Sequence, residues 1–255
     1  MTHTATDIHT EHSRDYILTA GESNAQGIMP LTLMVERVIE SATRHANELG
    51  IGYDALIKHN IGWVLSRLTL EMSRFPRINE HYCLTTWIES TNKFFSLRNF
   101  AITAPGGEVL GYARTVWVAI DYATRRMAPL SKFDMSLFPT APLECPIAPT
   151  PQMKALEGDC ETSFYRFKYC DLDFNRHVNT VRYIEVLMNQ WSLEHYDRYF
   201  PSRFDIIFHH ECYYDEEIEL RRRREDGTMT DMCEMVAAPD KRAISAAFTW
   251  KELEK

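Results

Sequence analysis

Apolar positions recur at helical spacing in two stretches of the chain and follow strand-like patterns between and after them. The first stretch predicts a helix from Leu31 to Leu49, with Leu31, Met34, Val35, Val38, Ala42 and Ala46 on one face and Glu36, Arg37, Glu40 and Arg44 off it. Gly50 and Gly52 end it, and a short helical piece is expected around Asp54 to His59. The second stripe, Val181, Ile184, Met188 and Trp191 with Leu187 beside it, predicts a helix from Val181 to about Arg198, capped by Asn179 or Thr180. From Gly62 to Asp121 the chain is rich in Thr, Val, Trp, Tyr and Phe, with turn signals at Phe75-Pro76, Asn92-Lys93 and Pro105-Gly106-Gly107. Phe204 to Trp250 reads the same way around a turn at Asp226-Gly227. One helix followed by antiparallel strands, twice over, predicts an α+β fold in which a curved sheet wraps a helix.

The repeated order extends to residues. Ser66-Arg67-Leu68 matches Ser202-Arg203-Phe204 at an offset of 136, and the helices correspond at about 149, taking Val35 onto Ile184. Five prolines between residues 139 and 151 mark a linker that favours extended backbone. The expected organisation is a flexible leader (1–15), a first module (16–138), a linker (139–153) and a second module (154–255).

The second helix is preceded by a polar run in which Asp171, Asp173, Asn175 and His177 fall at every second position. Side chains just before a helix N-terminus sit where backbone N–H groups and the helix dipole favour developing negative charge, which suits attack on a carbonyl. The offsets map Asp173 to Asn24, Asn175 to Gln26, His177 to Ile28 and Glu211 to Phe75, so only the second copy keeps ionisable groups at all these places. The first copy is then a scaffold that contributes to a substrate cavity. Asp173 and Glu211 are candidate bases, and Asn175 and His177 are candidate donors to a polarised carbonyl. The competing reading of the polar run is a loop whose side chains satisfy only backbone N–H groups, and Asp171 is assigned such a structural role. Cys212 beside His177 and Asn175 would complete a thiol-hydrolase arrangement, but free Cys is a common buried residue and Glu211 would raise its pKa, so Cys212 is placed near the site rather than as its nucleophile. His209 and Glu211 share one side of a strand with His210 on the other, too few converging ligands for a metal. Arg221 to Arg224 read as a solvated strand end, and Arg176 and Arg182, near the site, as weaker candidates for carrier binding.

Charge narrows the partners. The net charge of −8 argues against general nucleic-acid binding, and no run approaches the roughly 18 apolar residues of a membrane span. Six scattered cysteines without a Cys-x-x-Cys pair fit reduced thiols, and the expectation is a cytoplasmic protein.

The duplicated module, the Asp173-x-Asn175-x-His177-Val178-Asn179 segment, Tyr183 and the Glu211-Cys212 pair together resemble the acyl-ACP thioesterase family, and Thr86-Trp87-Ile88 and Asp121 to Met127 add to the likeness. The sequence departs from plant members in having Thr180 where they usually carry a second Asn. The resemblance implies two tandem hotdog modules, each a long helix wrapped by an antiparallel sheet, and hydrolysis of fatty acyl thioesters on acyl carrier protein to free fatty acid. No cofactor or metal is expected; between the two candidate bases Glu211 is favoured as the one activating water, with Asp173 holding the water or His177, and a homodimer is possible. Two alternatives stay open: a non-catalytic acyl-binding hotdog protein, and a hotdog dehydratase or hydratase.

Overall fold

The structure is a computed structural model, and it describes residues 10–238 and 240–253. Its framework is an eleven-stranded sheet. The first part of the chain supplies β1 (Glu11–Ile17), helix α1 (Leu31–Glu48), the single turn α2 (Tyr53–Leu56), β2 (Ile61–Met72), β3 (His81–Thr91), β4 (Phe95–Thr103), β5 (Val109–Asp121) and the short β6 (Arg126–Met127). The second supplies β7 (Glu161–Arg166), α3 (Thr180–Met188), α4 (Leu193–Tyr196), β8 (Tyr199–Phe208), β9 (Glu217–Arg224), β10 (Thr230–Ala237) and β11 (Lys241–Glu252).

Strand order is β1-β3-β4-β5-β2-β8-β11-β10-β9-β7, with β6 paired to β5, and every ladder between strands is antiparallel. Read outward from the central β2–β8 pair, both directions follow the same succession. At that pair Thr69 stands opposite Asp205 and donates its hydroxyl hydrogen to Oδ1 at 2.6 Å. The separation of 136 residues equals the offset of the sequence repeat, so equivalent residues face each other, as an approximate two-fold through the sheet centre requires.

The apolar stripe of α1 buries Leu31, Met34, Val35, Val38, Ala42 and Ala46, and α3 buries Tyr183, Ile184, Val186 and Leu187. The two helices touch each other and share one core cluster with both halves of the sheet. A second cluster, including Leu49, Ile51, Leu56 and Ile61, lies beneath α2 and the start of β2.

Several expectations are corrected. The leader is shorter than residues 1–15: Glu11 to Asp15 belong to β1, while residues 1–9 lie outside the described residues. β1 and β7, the two sheet edges, were not legible because their exposed, charge-bearing sequences EHSRDYI and ETSFYR lack an apolar face of full strength. The predicted second helix, Val181 to about Arg198, is two helices. Asn189 ends α3 and Ser192 starts α4 by accepting the His195 N–H, so the chain bends where a continuous stripe was expected. The segment 139–153, expected as a linker of extended backbone, carries no helix or strand and runs against the first half. Thr140 bridges to Ile88, the Trp87 indole donates to the Leu143 carbonyl at 3.2 Å, and Arg114 and Arg203 donate to the Ile147 and Ala148 carbonyls.

Candidate functional site

The polar loop before α3 is held by hydrogen bonds among its own backbone and side chains. Asp173 N–H donates to the His177 carbonyl at 2.8 Å, and Asp173 Oδ1 accepts from Asn175 N–H at 2.8 Å and His177 N–H at 3.2 Å. Arg176 takes a left-handed conformation, φ 64°, to close the turn. Asp171 lies buried behind it, its carboxylate accepting from Lys168 N–H and Tyr165 Oη. Asn179 caps α3 by accepting the Val181 N–H at 2.9 Å.

The first half repeats the Asp173 bonds of this loop, although Pro30, in the place of Asn179, gives no side-chain cap. Asn24 N–H donates to the Ile28 carbonyl at 2.9 Å, and Asn24 Oδ1 accepts from Gln26 and Ile28 N–H, each at 3.1 Å. Gly27, φ 70°, stands where Arg176 does. The neighbouring turn matches as well: Met29 N–H to the Pro76 carbonyl in one copy is Val178 N–H to the Cys212 carbonyl in the other. The Ile28–Arg77 bridge likewise has its counterpart in His177–Tyr213. These bonds therefore build a loop whether or not it carries ionisable groups. What the second copy adds is chemistry at two facing positions, His177 for Ile28 and Glu211 for Phe75. The first-copy position is filled, with the Phe75 and Phe200 rings in edge contact at 6.1 Å.

The shared turn brings Glu211 to the loop, its Oε1 lying 3.4 Å from His177 Nδ1. Its other oxygen, Oε2, accepts from the guanidinium of Arg125, which comes from the β5–β6 turn of the first half. The Tyr213 ring stands edge-on to His177 at 5.2 Å, and across the halves Tyr53 of α2 meets the exposed Phe174 at 5.8 Å. Burial, then the Arg125 charge, pulls the His177 pKa below its ordinary value, while Asp173 opposes the shift. The imidazole is thereby held neutral near neutral pH.

The other candidates separate. Asn175 sits exposed at the loop tip, with no hydrogen bond tying its amide to His177 or Glu211 among the described residues. Cys212 is 1% exposed, within the core, and burial pushes its thiol up to about 11; the acidic neighbour that acts on it is Glu216 rather than Glu211. A thiol in that state supplies little thiolate. Arg182 is paired with Glu185 one turn along α3, and Arg176 is exposed. His209 turns to Ser245 at 3.1 Å, and among the described residues no group of three or more His, Cys, Asp or Glu could hold a metal ion. Each member of the Arg221–Arg224 run has an acceptor: Glu219, Glu161, the Glu157 carbonyl and Asp231. Arg125 is the residue that sequence reasoning missed. The segment Asp121 to Met127 had drawn notice, but nothing in spacing places a first-half turn against a second-half carboxylate.

A model of the acyl-ACP thioesterase N-terminal domain matches residues 9–133, and one of the C-terminal domain matches 154–252. The chain is 24% identical to the chloroplastic palmitoyl-acyl carrier protein thioesterase of Gossypium hirsutum over 220 residues, 81% of this chain and 53% of that protein. It is 26% identical to oleoyl-acyl carrier protein thioesterase 1 of Arabidopsis thaliana over 197 residues, 71% of this chain and 54% of that one. It thus spans about half the length of these curated relatives. Among solved structures, an acyl-ACP thioesterase from Bacteroides thetaiotaomicron superposes with a TM-score of 0.88 at 25% identity, covering 95% of this chain and 98% of that one. The 12:0-ACP thioesterase from Umbellularia californica gives 0.82 at 16% identity over 96% of this chain and 95% of that one, a likeness of fold. The large antiparallel sheet with few helices is consistent with a hotdog-type α+β fold. With both family domains matched in order over most of its length, the chain belongs to the acyl-ACP thioesterase family.

Proposed function

We propose that the protein hydrolyses fatty acyl thioesters carried on acyl carrier protein, releasing free fatty acid, at the site formed by His177 and Glu211. The observation that carries this reading is the comparison of the two loops: the same hydrogen-bonded frame holds Ile28 and Phe75 in one copy and a histidine–carboxylate pair in the other. An acyl-binding role alone gives no reason for that difference.

The roles within the pair follow from what each group touches. Glu211 has one oxygen engaged by the Arg125 guanidinium, while its other oxygen lies 3.4 Å from His177 Nδ1. A neutral imidazole with Nδ1 3.4 Å from that oxygen, close enough for a small ring rotation to complete the hydrogen bond, leaves Nε2 to accept a proton from water. This reverses the expected assignment of Glu211 as the base. The water oxygen attacks the carbonyl carbon as its proton passes to His177 Nε2; the C–S bond then breaks, and the proton goes to the departing thiolate. We assign Asn175, exposed at the loop tip, as the donor to the carbonyl oxygen. Asp173 acts by holding the loop and by its charge on His177, and Cys212 as a core residue.

We read the sheet as two hotdog modules joined by the 139–153 segment, the first beginning with β1. Support comes from the mirrored strand succession, the Thr69–Asp205 pairing at the repeat offset and the duplicated loop. The acyl chain is assigned to the first module by side-chain bulk. Trp191, Phe204 and Phe248, clustered in the second half, correspond at offsets of 149, 136 and 133 to Ala42, Leu68 and Thr115. The free state of the six cysteines favours a reducing compartment such as the cytoplasm, and no helix among the described residues is long and apolar enough to cross a membrane.

The test is release of free thiol and free acid from a panel of acyl carrier protein thioesters, wild type beside His177→Ala. Hydrolysis by the wild type that is lost in a folded variant supports the reading. An enoyl thioester product would make the protein a dehydratase, and binding without turnover an acyl-binding module.

A further inference from the structure

We propose that Arg125 of the first half is a positioning residue for the reaction in the second half, holding the Glu211 carboxylate so that its free oxygen addresses His177. This rests on the proposed function and adds a residue that makes the site a joint product of both halves.

The turn carrying Arg125 is fastened at every point. Asp121 Oδ1 accepts from Ala123 N–H, Thr124 N–H and Thr124 Oγ1 at 2.9 to 3.1 Å, and Arg125 N–H returns to the Asp121 carbonyl at 2.8 Å. Tyr122 N–H donates to the Asn60 carbonyl at 2.9 Å, and its hydroxyl lies over Gly62, where a Cβ would stand 1.9 Å from the oxygen. The strand leaving the turn is tied back by Ala128 N–H to the Ala119 carbonyl and Leu130 N–H to the Lys93 carbonyl, both at 2.8 Å.

At the apex Arg125 has φ 56°, a conformation that costs a non-glycine residue about 1 kcal/mol or more and that persists only when its surroundings enforce it. The product of this arrangement is one ion pair, Arg125 with Glu211, whose side chains are 44% and 32% exposed. Such a pair contributes little to folding, so stability is a poor reason for the arrangement. A carboxylate with one oxygen clamped has a single oxygen left to aim, and His177 Nδ1 is what it faces.

The experiment compares wild type, Arg125→Ala, Arg125→Lys and Arg126→Ala. Each is assayed on an acyl carrier protein thioester and on an acyl thioester of a small uncharged thiol, with thermal melting alongside. The expected result is a fall in kcat of about 10–100-fold for Arg125→Ala on both substrates, with KM changed less than about 2-fold and an unchanged melting temperature. Arg125→Lys should recover most of the loss, and Arg126→Ala should match wild type. A pH profile adds a readout that a merely structural role would not move. The groups facing His177 are Arg125, Glu211 and Asp173, with the Tyr213 ring edge-on; removing Arg125 lets the imidazole pKa rise, so the acid limb of kcat/KM should move to higher pH. Three results would overturn the proposal: a defect confined to KM with the carrier substrate, which makes Arg125 a docking residue; a loss that tracks a fall in melting temperature; or Arg125→Ala indistinguishable from Arg126→Ala. A wild type that hydrolyses neither substrate overturns the thioesterase reading itself, and this one with it, before any variant is compared.

Discussion

The replacement of Ile28 by His177 and of Phe75 by Glu211 within one loop frame separates residues that build the site from residues that act in it. Asp173 belongs to the builders by its bonds and to the site by its charge, and two substitutions distinguish these. Asp173→Asn keeps an oxygen for the Asn175 and His177 N–H groups, as Asn24 does in the other copy, whereas Asp173→Ala leaves both unpaired at a cost of about 1–2 kcal/mol. Thermal melts should rank them wild type, Asn, Ala, and turnover should be higher in Asn than in Ala. Since Asp173 raises the His177 pKa, losing its charge should shift the acid limb of kcat/KM to lower pH, opposite to the Arg125→Ala shift. Cys212→Ala should retain most activity and destabilise by about 1–2 kcal/mol, measured by thiol release and denaturant melts, because the thiol is a core group. Loss of activity in Cys212→Ala to the level of His177→Ala would favour the nucleophile reading instead. At this scale His177 and Glu211 were legible because a repeat exposes what one copy lacks. The division of labour proposed for them was not legible, because it rests on the contact of Glu211 with Arg125, 86 residues away in sequence.

Elements with a continuous apolar stripe were readable from periodicity, and α1 is the clearest, its expected end at Leu49 falling one residue beyond Glu48. The break between α3 and α4 escaped because Met188 and Trp191 extend the stripe across it, and only the cap geometry at Asn189 and Ser192 divides the helix. The edge strands escaped for the opposite reason, having too weak a stripe. The β5–β6 turn, which carries Arg125 to Glu211, is the element the proposal turns on, and Gly62 tests it. Gly62→Ala places a Cβ against the Tyr122 hydroxyl and should displace the ring. The expected outcome is a kcat loss of the kind proposed for Arg125→Ala with a change in stability of about 1–3 kcal/mol, read from kinetics and melts.

The whole molecule is one sheet, and its centre is polar: Asp205, 4% exposed, accepts from Thr69 and from both Arg203 Nε and Nη2. Asp205→Ala removes an acceptor of Thr69 and one of the partners of Arg203, which keeps Glu71 and the Ala148 carbonyl, and should cost about 1–3 kcal/mol in a denaturant melt. Because the β2–β8 ladder joins the halves, the melt should remain a single transition rather than resolve into two. The duplication was visible in the sequence as an offset of 136, but the meeting of Thr69 with its own counterpart Asp205 needed the register of two strands that no local pattern specifies. The matched loops carry one last implication. A frame that survives with isoleucine and phenylalanine in place of histidine and glutamate imposes no folding penalty on the loss of chemistry. Relatives that have fallen silent will therefore crystallise, melt and superpose like working ones, and the two classes will part company only when each is asked to turn over a thioester.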